Sequence, residues 1–578
     1  MAGPTAPKDP EKARPFFYIL KDKDIFGERQ KDGTGIQFIY ESDGRLINSA
    51  QITGNVTDKE ELRLLETVEG FGRLVHSIGV SVETDRSEET AEFVFQMYGK
   101  KDLYGGGTNL TTSLKCDGME HRIYLSDYRW TEDDHVPGQI KILFAAPERM
   151  GKVSVRLFLN DGYEAPPEEE DLVIDMHSEE YCGMISRSLL QLGNPYRIRK
   201  AIEKSKAGKE VTLAYIGGSI TQGAGAIPIH TECYAYKSFQ LFQNRFSTQN
   251  NVRFIKAGVG GTPSELGMIR FDRDVLREGE RPDIVVIEFA VNDEGDETKG
   301  VCYESLVRKV LKLPWKPAVV LLFSVFANDW NLQERLRPVG DLYDLPMVSI
   351  RDAVTQQFSL KCGEGRILSK NQFFYDIFHP NNTGHTIMAD CLQYLFERCD
   401  AAEPARVGTF VEGMTEEQIL SEKLSGPAVI GADFERIFLL DKKNRYVGAK
   451  IRAGSFTSTD IELQSVEMDG SLTQTPEFPY NWMYDGSRPQ MPGFEMEITC
   501  KSLFLIFKDS GEMDVGKANV FVNDVYCMTA DPHKNNWLHC NAVLLFWETE
   551  SRSHKVRIAV TEEDRNKKFT ILGFGYTI

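Results

Sequence analysis

The 578-residue chain has no C-x-x-C pair, no excess of basic side chains, no apolar run long enough to span a bilayer and no fixed-period repeat. Each absence removes a class of function. Ten cysteines are scattered from Cys116 to Cys540, which excludes the usual zinc and thioredoxin spacings. Cys391, Cys500 and Cys527 sit in apolar runs and read as reduced, buried thiols, so a reducing compartment is expected. Lys and Arg total 67 against 86 Asp and Glu, a net charge of −19. Phosphate backbones need the opposite balance, so no nucleic-acid partner is expected. The longest apolar run, Pro317 to Ala327, suits a buried strand, and no basic amphipathic helix or apolar lid argues for a membrane. The first thirty residues lack the apolar core of a signal peptide, which leads to a cytoplasmic expectation. Gly217 to Gly225 contains no G-K-[ST], and no glycine loop matches G-x-G-x-x-G, so a nucleotide is not expected. No His or Cys cluster has metal spacing, and neither metal nor other cofactor is called for.

What is present is enough apolar surface, 41% of residues with 11% aromatic, for roughly two to four domains. From about 15 to 165 the pattern is all-β: Ile78, Val80, Val82; Phe93, Phe95, Met97; Ile140, Ile142, Phe144; and Val153, Val155, Leu157, Leu159 alternate with polar residues. A Pro- and acid-rich stretch, Ala165 to Asp171, reads as a linker or surface loop. The middle changes period. Short apolar strands at Val211–Ile216, Val252–Ile255, Ile284–Phe289, Ala318–Val325 and Met347–Ile350 alternate with helix-period stretches such as Leu306, Val307, Val310 and Leu311. That order implies βαβ units and a five-stranded, flavodoxin-like parallel sheet. After a helical stretch at Thr415 to Leu424, β alternation returns at Phe494, Met496, Ile498, at Leu503, Leu505, Phe507 and at Val556, Ile558, Val560. The expected organisation is a flexible 1–14, a β-sandwich over 15–190, an α/β domain over 191–402, a linker with a helix over 403–430 and a second β-sandwich over 431–578.

Four pieces fall at carboxyl ends of the α/β strands, where sites form in such sheets. Tyr215-Ile216-Gly217-Gly218-Ser219-Ile220-Thr221 follows the first strand, and Ala257-Gly258-Val259-Gly260-Gly261-Thr262 follows the second. Phe289-Ala290-Val291-Asn292-Asp293 follows the third, and Asp376-Ile377-Phe378-His379-Pro380 opens the final helix. A serine hydroxyl becomes a nucleophile when an adjacent base takes its proton, and histidine does so near neutral pH if its other nitrogen is held. A carboxylate three residues before the histidine can hold it from one turn. Taken singly, a serine in such a turn is more often a helix cap than a nucleophile, the glycines more often a tight turn, and Asn292 more often a turn or cap residue. Asp293 reads as structural, and His385 as a packing or capping residue.

In this order the four blocks resemble the SGNH (GDSL-like) hydrolases, over about 200 residues. Gly-Gly-Ser stands where the family name has Gly-Asp-Ser. The resemblance implies Ser219 as nucleophile, His379 as base with Asp376, and Ser219, Gly261 and Asn292 as oxyanion donors. It also implies a serine esterase. The flanking β modules are similar in arrangement to those of multidomain bacterial carbohydrate acetylesterases, with Val520 to Tyr526 resembling a jelly-roll hairpin. The expected substrate is therefore an O-acetylated oligosaccharide of mannan or xylan type. Trp330, Trp482 and Trp537 are the candidate sugar-stacking residues; for Trp482 and Trp537 a place in the core is the alternative. A lipase or thioesterase on small acyl esters, and a non-catalytic carbohydrate-binding protein, are the competing readings.

Overall fold

The computed structural model describes residues 12–40, 45–101, 105–168, 170–402 and 414–578. Most of the segment expected to be flexible, and residues 403–413 of the expected linker, lie outside the described residues.

The N-terminal third is built on two antiparallel sheets, one of four strands and one of five. Their inward side chains, among them Ile78, Val80, Phe93, Phe95, Ile140 and Leu157, are fully buried in one core. Period-two apolarity forces this, because alternate residues of a strand point to one face. The segment is not all-β, however. Helices Arg45–Ile52, Lys59–Leu64 and Val68–Leu74 interrupt it. Their start signals are legible: Asp58 caps the second by accepting from the Glu60 and Glu61 amides, and Thr67 caps the third by accepting from the Gly70 amide. All three are of eight residues or fewer, too short for a strong 3.6-residue period.

The middle sheet has six strands rather than five. Val252–Gly258, Val211–Gly217, Ile284–Glu288, Ala318–Phe323 and Met347–Ser349 lie parallel in that spatial order, which is 2-1-3-4-5 in sequence order. The sixth, Leu189–Gln191, pairs antiparallel with Met347–Ser349 at the edge. Helix Glu179–Ser186 just before it packs Tyr181, Met184 and Ile185 into the sheet's first core. Both elements begin before the expected start at 191; a three-residue strand is too short to announce itself by periodicity. Chain order reverses between Val211–Gly217 and Ile284–Glu288, and the crevice outside the carboxyl ends of such a reversal is the usual ligand position.

The C-terminal part is an antiparallel eight-stranded sheet dominated by Phe494–Asp509 and His539–Val560. Leu503, Leu505 and Phe507 point into this module's own core. Phe504 and Ile506 point the other way, into a core shared with the α/β unit that also contains Phe271, Val285, Ile287 and Leu306. A strand apolar on both faces is buried on both faces. Val520 and Tyr526 fall in the hairpin Ala518–Val522 and Val525–Ala530, turned by Asn523 and Asp524, both with positive φ, the backbone such tight hairpins need. Cys527, on its second strand, is exposed, contrary to the buried reading, whereas Cys391 and Cys500 are buried; all ten thiols are free. Among the described residues, no helix is long and apolar enough to cross a membrane.

Candidate active site

Ser219 opens a single helical turn, Ser219–Gln222, directly after the strand Val211–Gly217. Gly218 before it is required by contact: a Cβ there would meet Asn292 Oδ1 at 2.3 Å. The end of one strand thus lies against the loop that follows its neighbour, and the amide of Asn292 is one residue from Ser219. His379 comes from the turn ahead of helix Asn382–Ala401. Its Nε2 lies 2.9 Å from Ser219 Oγ. Its Nδ1 lies 2.9 and 3.0 Å from the two Asp376 oxygens. A carboxylate only accepts, so Nδ1 carries the proton and Nε2 accepts from the serine hydroxyl. Asp376 Oδ1 also accepts from the Phe378 and His379 amides at 2.8 and 2.9 Å. That closed turn fixes carboxylate and imidazole relative to one another.

The loop after the second strand runs alongside. The Val259 amide donates to Gly217 O at 3.2 Å, and a Cβ on Gly260 would stand 3.8 Å from Ser219 Cβ. Gly261 has φ +71°, and a Cβ there would also meet the Trp537 ring at 2.7 Å. Side chains of the C-terminal module fasten this loop. Gln464 Nε2 donates to Gly260 O at 3.0 Å, and its Oε1 accepts from the Cys540 amide at 2.9 Å. His539 Nε2 donates to Gly261 O at 3.0 Å while its Nδ1 accepts from Asn535 Nδ2 at 3.1 Å. The Asp509 carboxylate receives Asn535 Nδ2 and lies 3.6 Å from the same imidazole. Residues so distant in sequence, and without a motif around them, could not be placed at this loop from the chain alone.

The three tryptophans separate. Trp537 is 43% exposed and lies on Gly261, its ring tilted against His539 at 4.6 Å between centroids. Trp330 is half-buried and stacks on Phe326, which meets Phe378 next to His379. Trp482 is 6% exposed and packs on Phe494 and Phe574 in the C-terminal core, away from solvent. As a sugar platform Trp482 is corrected to a core residue: its alternating strand position points inward.

Beneath the serine lies a group the sequence reading passed over. Glu288 ends the third strand, fully buried, and accepts from Thr221 Oγ1 at 3.1 Å, whose hydroxyl also meets Tyr234 Oη at 2.8 Å. Burial pushes its carboxyl up to about 7, against the hydrogen bond from Thr221 that favours ionisation. A lone Glu inside the apolar run Ile284–Phe289 was the available signal. Asp293 is buried, accepts from the Ser264 amide at 2.7 Å and is pushed up to about 8 by burial. His385 is buried, accepting from the Tyr234 amide and donating to Ala224 O at 3.1 Å each; burial pushes it down to about 3, so it stays neutral.

Residues 215–387 match the GDSL-like Lipase/Acylhydrolase family. No curated protein matches the chain. Among solved structures, a two-domain esterase (CEX) active on acetylated mannans, co-crystallised with mannopentaose, aligns with TM-score 0.53 and 23% identity. The alignment covers 68% of this chain and 98% of that one. A catalytic mutant of Axe2, an acetylxylan esterase from Geobacillus stearothermophilus, aligns at TM-score 0.26 and 17% identity, over 33% of this chain and 95% of that one. The match of residues 215–387 to GDSL-like acylhydrolases, over the segment that holds Ser219 and His379, supports a carboxylic ester hydrolase.

Proposed function

We infer that the chain removes O-acetyl groups from neutral acetylated glycans of mannan or xylan type through an acyl-serine intermediate. The observation that carries this is the hydrogen-bonded row Ser219–His379–Asp376 at the sheet's switch point. His379 Nε2 takes the Ser219 proton as Oγ attacks the ester carbonyl, and returns it to the departing sugar oxygen. Asp376 keeps the imidazole in the right tautomer and stabilises its charged form. The amides of Ser219 and Gly261 and the side chain of Asn292 are the donors for the negative oxygen. Water then attacks the acetyl-serine with His379 as base, releasing acetate.

The sugar side of the reading draws support from the exposed Trp537 ring over Gly261 and from the fold shared with an esterase named for acetylated mannans. Trp330 is joined to the His379 turn through Phe326 and Phe378. We read the flanking β modules as jelly-roll-like, with modules over about 15–177, 178–402 and 431–578. The ten free thiols suit a reducing, cytoplasmic setting.

The test is acetate release from acetylated mannan, xylan and chitin oligosaccharides, with Ser219→Ala as control and octanoyl against acetyl p-nitrophenyl esters for pocket size. Ser219→Ala should lose about 10⁴-fold or more in kcat with its melting curve intact, as removal of a serine nucleophile does. Preference for octanoyl esters with no acetate from any glycan would move the assignment to a lipase or thioesterase. Retention of activity by Ser219→Ala would remove the serine mechanism.

A further inference from the structure

A cleft of about 730 Å³ opens where all three parts of the molecule meet. One wall is the α/β unit itself, through Gln222, Gly225, Pro228, His230 and Tyr375. The second comes from the N-terminal sandwich, through Phe26, Glu28, Arg29, Gln37 and Glu148. The third comes from the C-terminal module, through Ser465, Glu467, Leu472 and Gln474. Its volume lies in the usual range of ligand sites, roughly 300–1,000 Å³. The floor touches the candidate site at two points. Gln222 ends the turn that Ser219 begins, and a Cβ on Gly225 would stand 3.1 Å from His379 Cβ.

The chemistry of the walls is that of a polyol site. Arg29 and Glu148 pair at 3.0 Å and largely cancel. Glu467 accepts from Gln474 and, at 3.4 Å, from Gln222. Glu28, on the exposed edge strand Glu28–Arg29, lines this cleft together with Glu467. His230 Nδ1 is buried without a partner. Carboxylates and amides aimed at one space are acceptors and donors for hydroxyl groups, while Phe26, Tyr375, Pro228 and Leu472 supply apolar faces for sugar C–H surfaces. Two uncompensated negative charges disfavour an anionic chain.

We propose that this three-walled cleft binds the neutral glycan chain next to its reacting acetyl-bearing residue, with Glu28 of the N-terminal sandwich and Glu467 of the C-terminal module as hydroxyl acceptors. The N-terminal sandwich is then a specificity-determining part of the esterase. This rests on the glycan reading of the preceding section. It accounts for the grip of that module on the α/β unit at this place: buried Lys23 donates to Phe374 O and lies over the Tyr375 ring, two residues and one residue before Asp376.

The experiment uses the full chain and Glu28→Ala, whose exposed position on a two-residue edge strand spares the core. kcat/KM is measured for acetate release from acetylated mannan and xylan oligosaccharides of two to six sugars, each divided by the value for p-nitrophenyl acetate. The quotient for wild type should climb with chain length. Glu28→Ala should flatten the climb by about fivefold, the size of one lost hydrogen bond, through KM and not kcat. Wild-type deacetylation whose length dependence is the same in the variant overturns the subsite and leaves the glycan reading standing. Absence of acetate release from every glycan by wild type overturns both. A uronate-bearing acetylated xylan cleaved as well as its neutral counterpart also overturns the proposed neutral preference.

Discussion

At the scale of single residues, the serine turn rests on a buried acid whose charge is costly. Glu288 is held near neutral pH by burial, with Glu265 at about 7 and Asp293 at about 8 for the same reason. All three folded values lie above the ordinary carboxylate values of 4.5 and 3.8. A group raised in this way binds its proton more tightly in the folded chain. Its stabilisation is complete below the unfolded value and is lost as pH rises through the folded one. The window here is therefore about pH 4 to 8. For Glu288 a rise from 4.5 to about 7 corresponds to roughly 3 kcal/mol at 1.36 kcal/mol per unit. Melting temperature should fall between pH 5 and pH 9, and Glu288→Gln should shrink that fall, read by calorimetry across the range. An unchanged slope in the variant would show that Glu288 does not titrate there.

At the scale of elements, the feature that matters is the Gly258–Thr262 loop held from outside its own sheet. Its Gly261 carbonyl is fixed by His539, and His539 by Asn535 and Asp509. An amide N–H is aimed by the peptide plane it belongs to: Gln464 on Gly260 O fixes the plane of the Gly261 N–H, and His539 on Gly261 O fixes the next plane, so the two together hold Gly261 from both sides. His539 is a positioning residue in this account. His539→Ala should lower kcat on p-nitrophenyl acetate by about tenfold with little change in KM, a fraction of the loss from deleting a whole oxyanion donor. His539→Gln, which can still donate to Gly261 O, should recover most of it. A merely structural role would lower melting temperature equally in both variants and leave kcat alike in both.

At the scale of the whole molecule, the two flanking modules differ in how they are joined. The N-terminal sandwich closes its own core, which Tyr375 touches only from the side. The C-terminal module has a core of its own and shares a second: its Phe504, Ile506, Phe434 and Leu572 complete the core that covers the second face of the α/β sheet. Removal of 1–177 should leave a chain that melts cooperatively and still hydrolyses p-nitrophenyl acetate. Removal of 431–578 should expose that core and give aggregation or dye-binding, partly folded protein. Calorimetry and analytical ultracentrifugation of the two truncations distinguish the cases. A soluble, cooperatively melting protein ending at 430 would contradict the shared core.

The order strand–Ser219, strand–Gly261, strand–Asn292, then Asp376 and His379 was readable because each block is local, and because short apolar strands alternating with helices leave few sheet topologies. The candidate row of serine, histidine and carboxylate followed from the resemblance of those blocks to the SGNH hydrolases. The three short N-terminal helices and the Leu189–Gln191 edge strand were not readable, since elements of three to eight residues carry too little period. Glu288 was visible as an odd letter in an apolar run, but its meaning depends on total burial. Local sequence thus determined the α/β strands, the period of the flanking β modules and the loops that bear the candidate residues. Tertiary structure alone decided which tryptophan reaches the rim, that His539 and Gln464 hold the Gly260–Gly261 loop, and that three modules enclose one cleft. Those contacts join residues tens to hundreds of positions apart, and a pattern confined to neighbouring positions holds no record of which distant surface a side chain will meet.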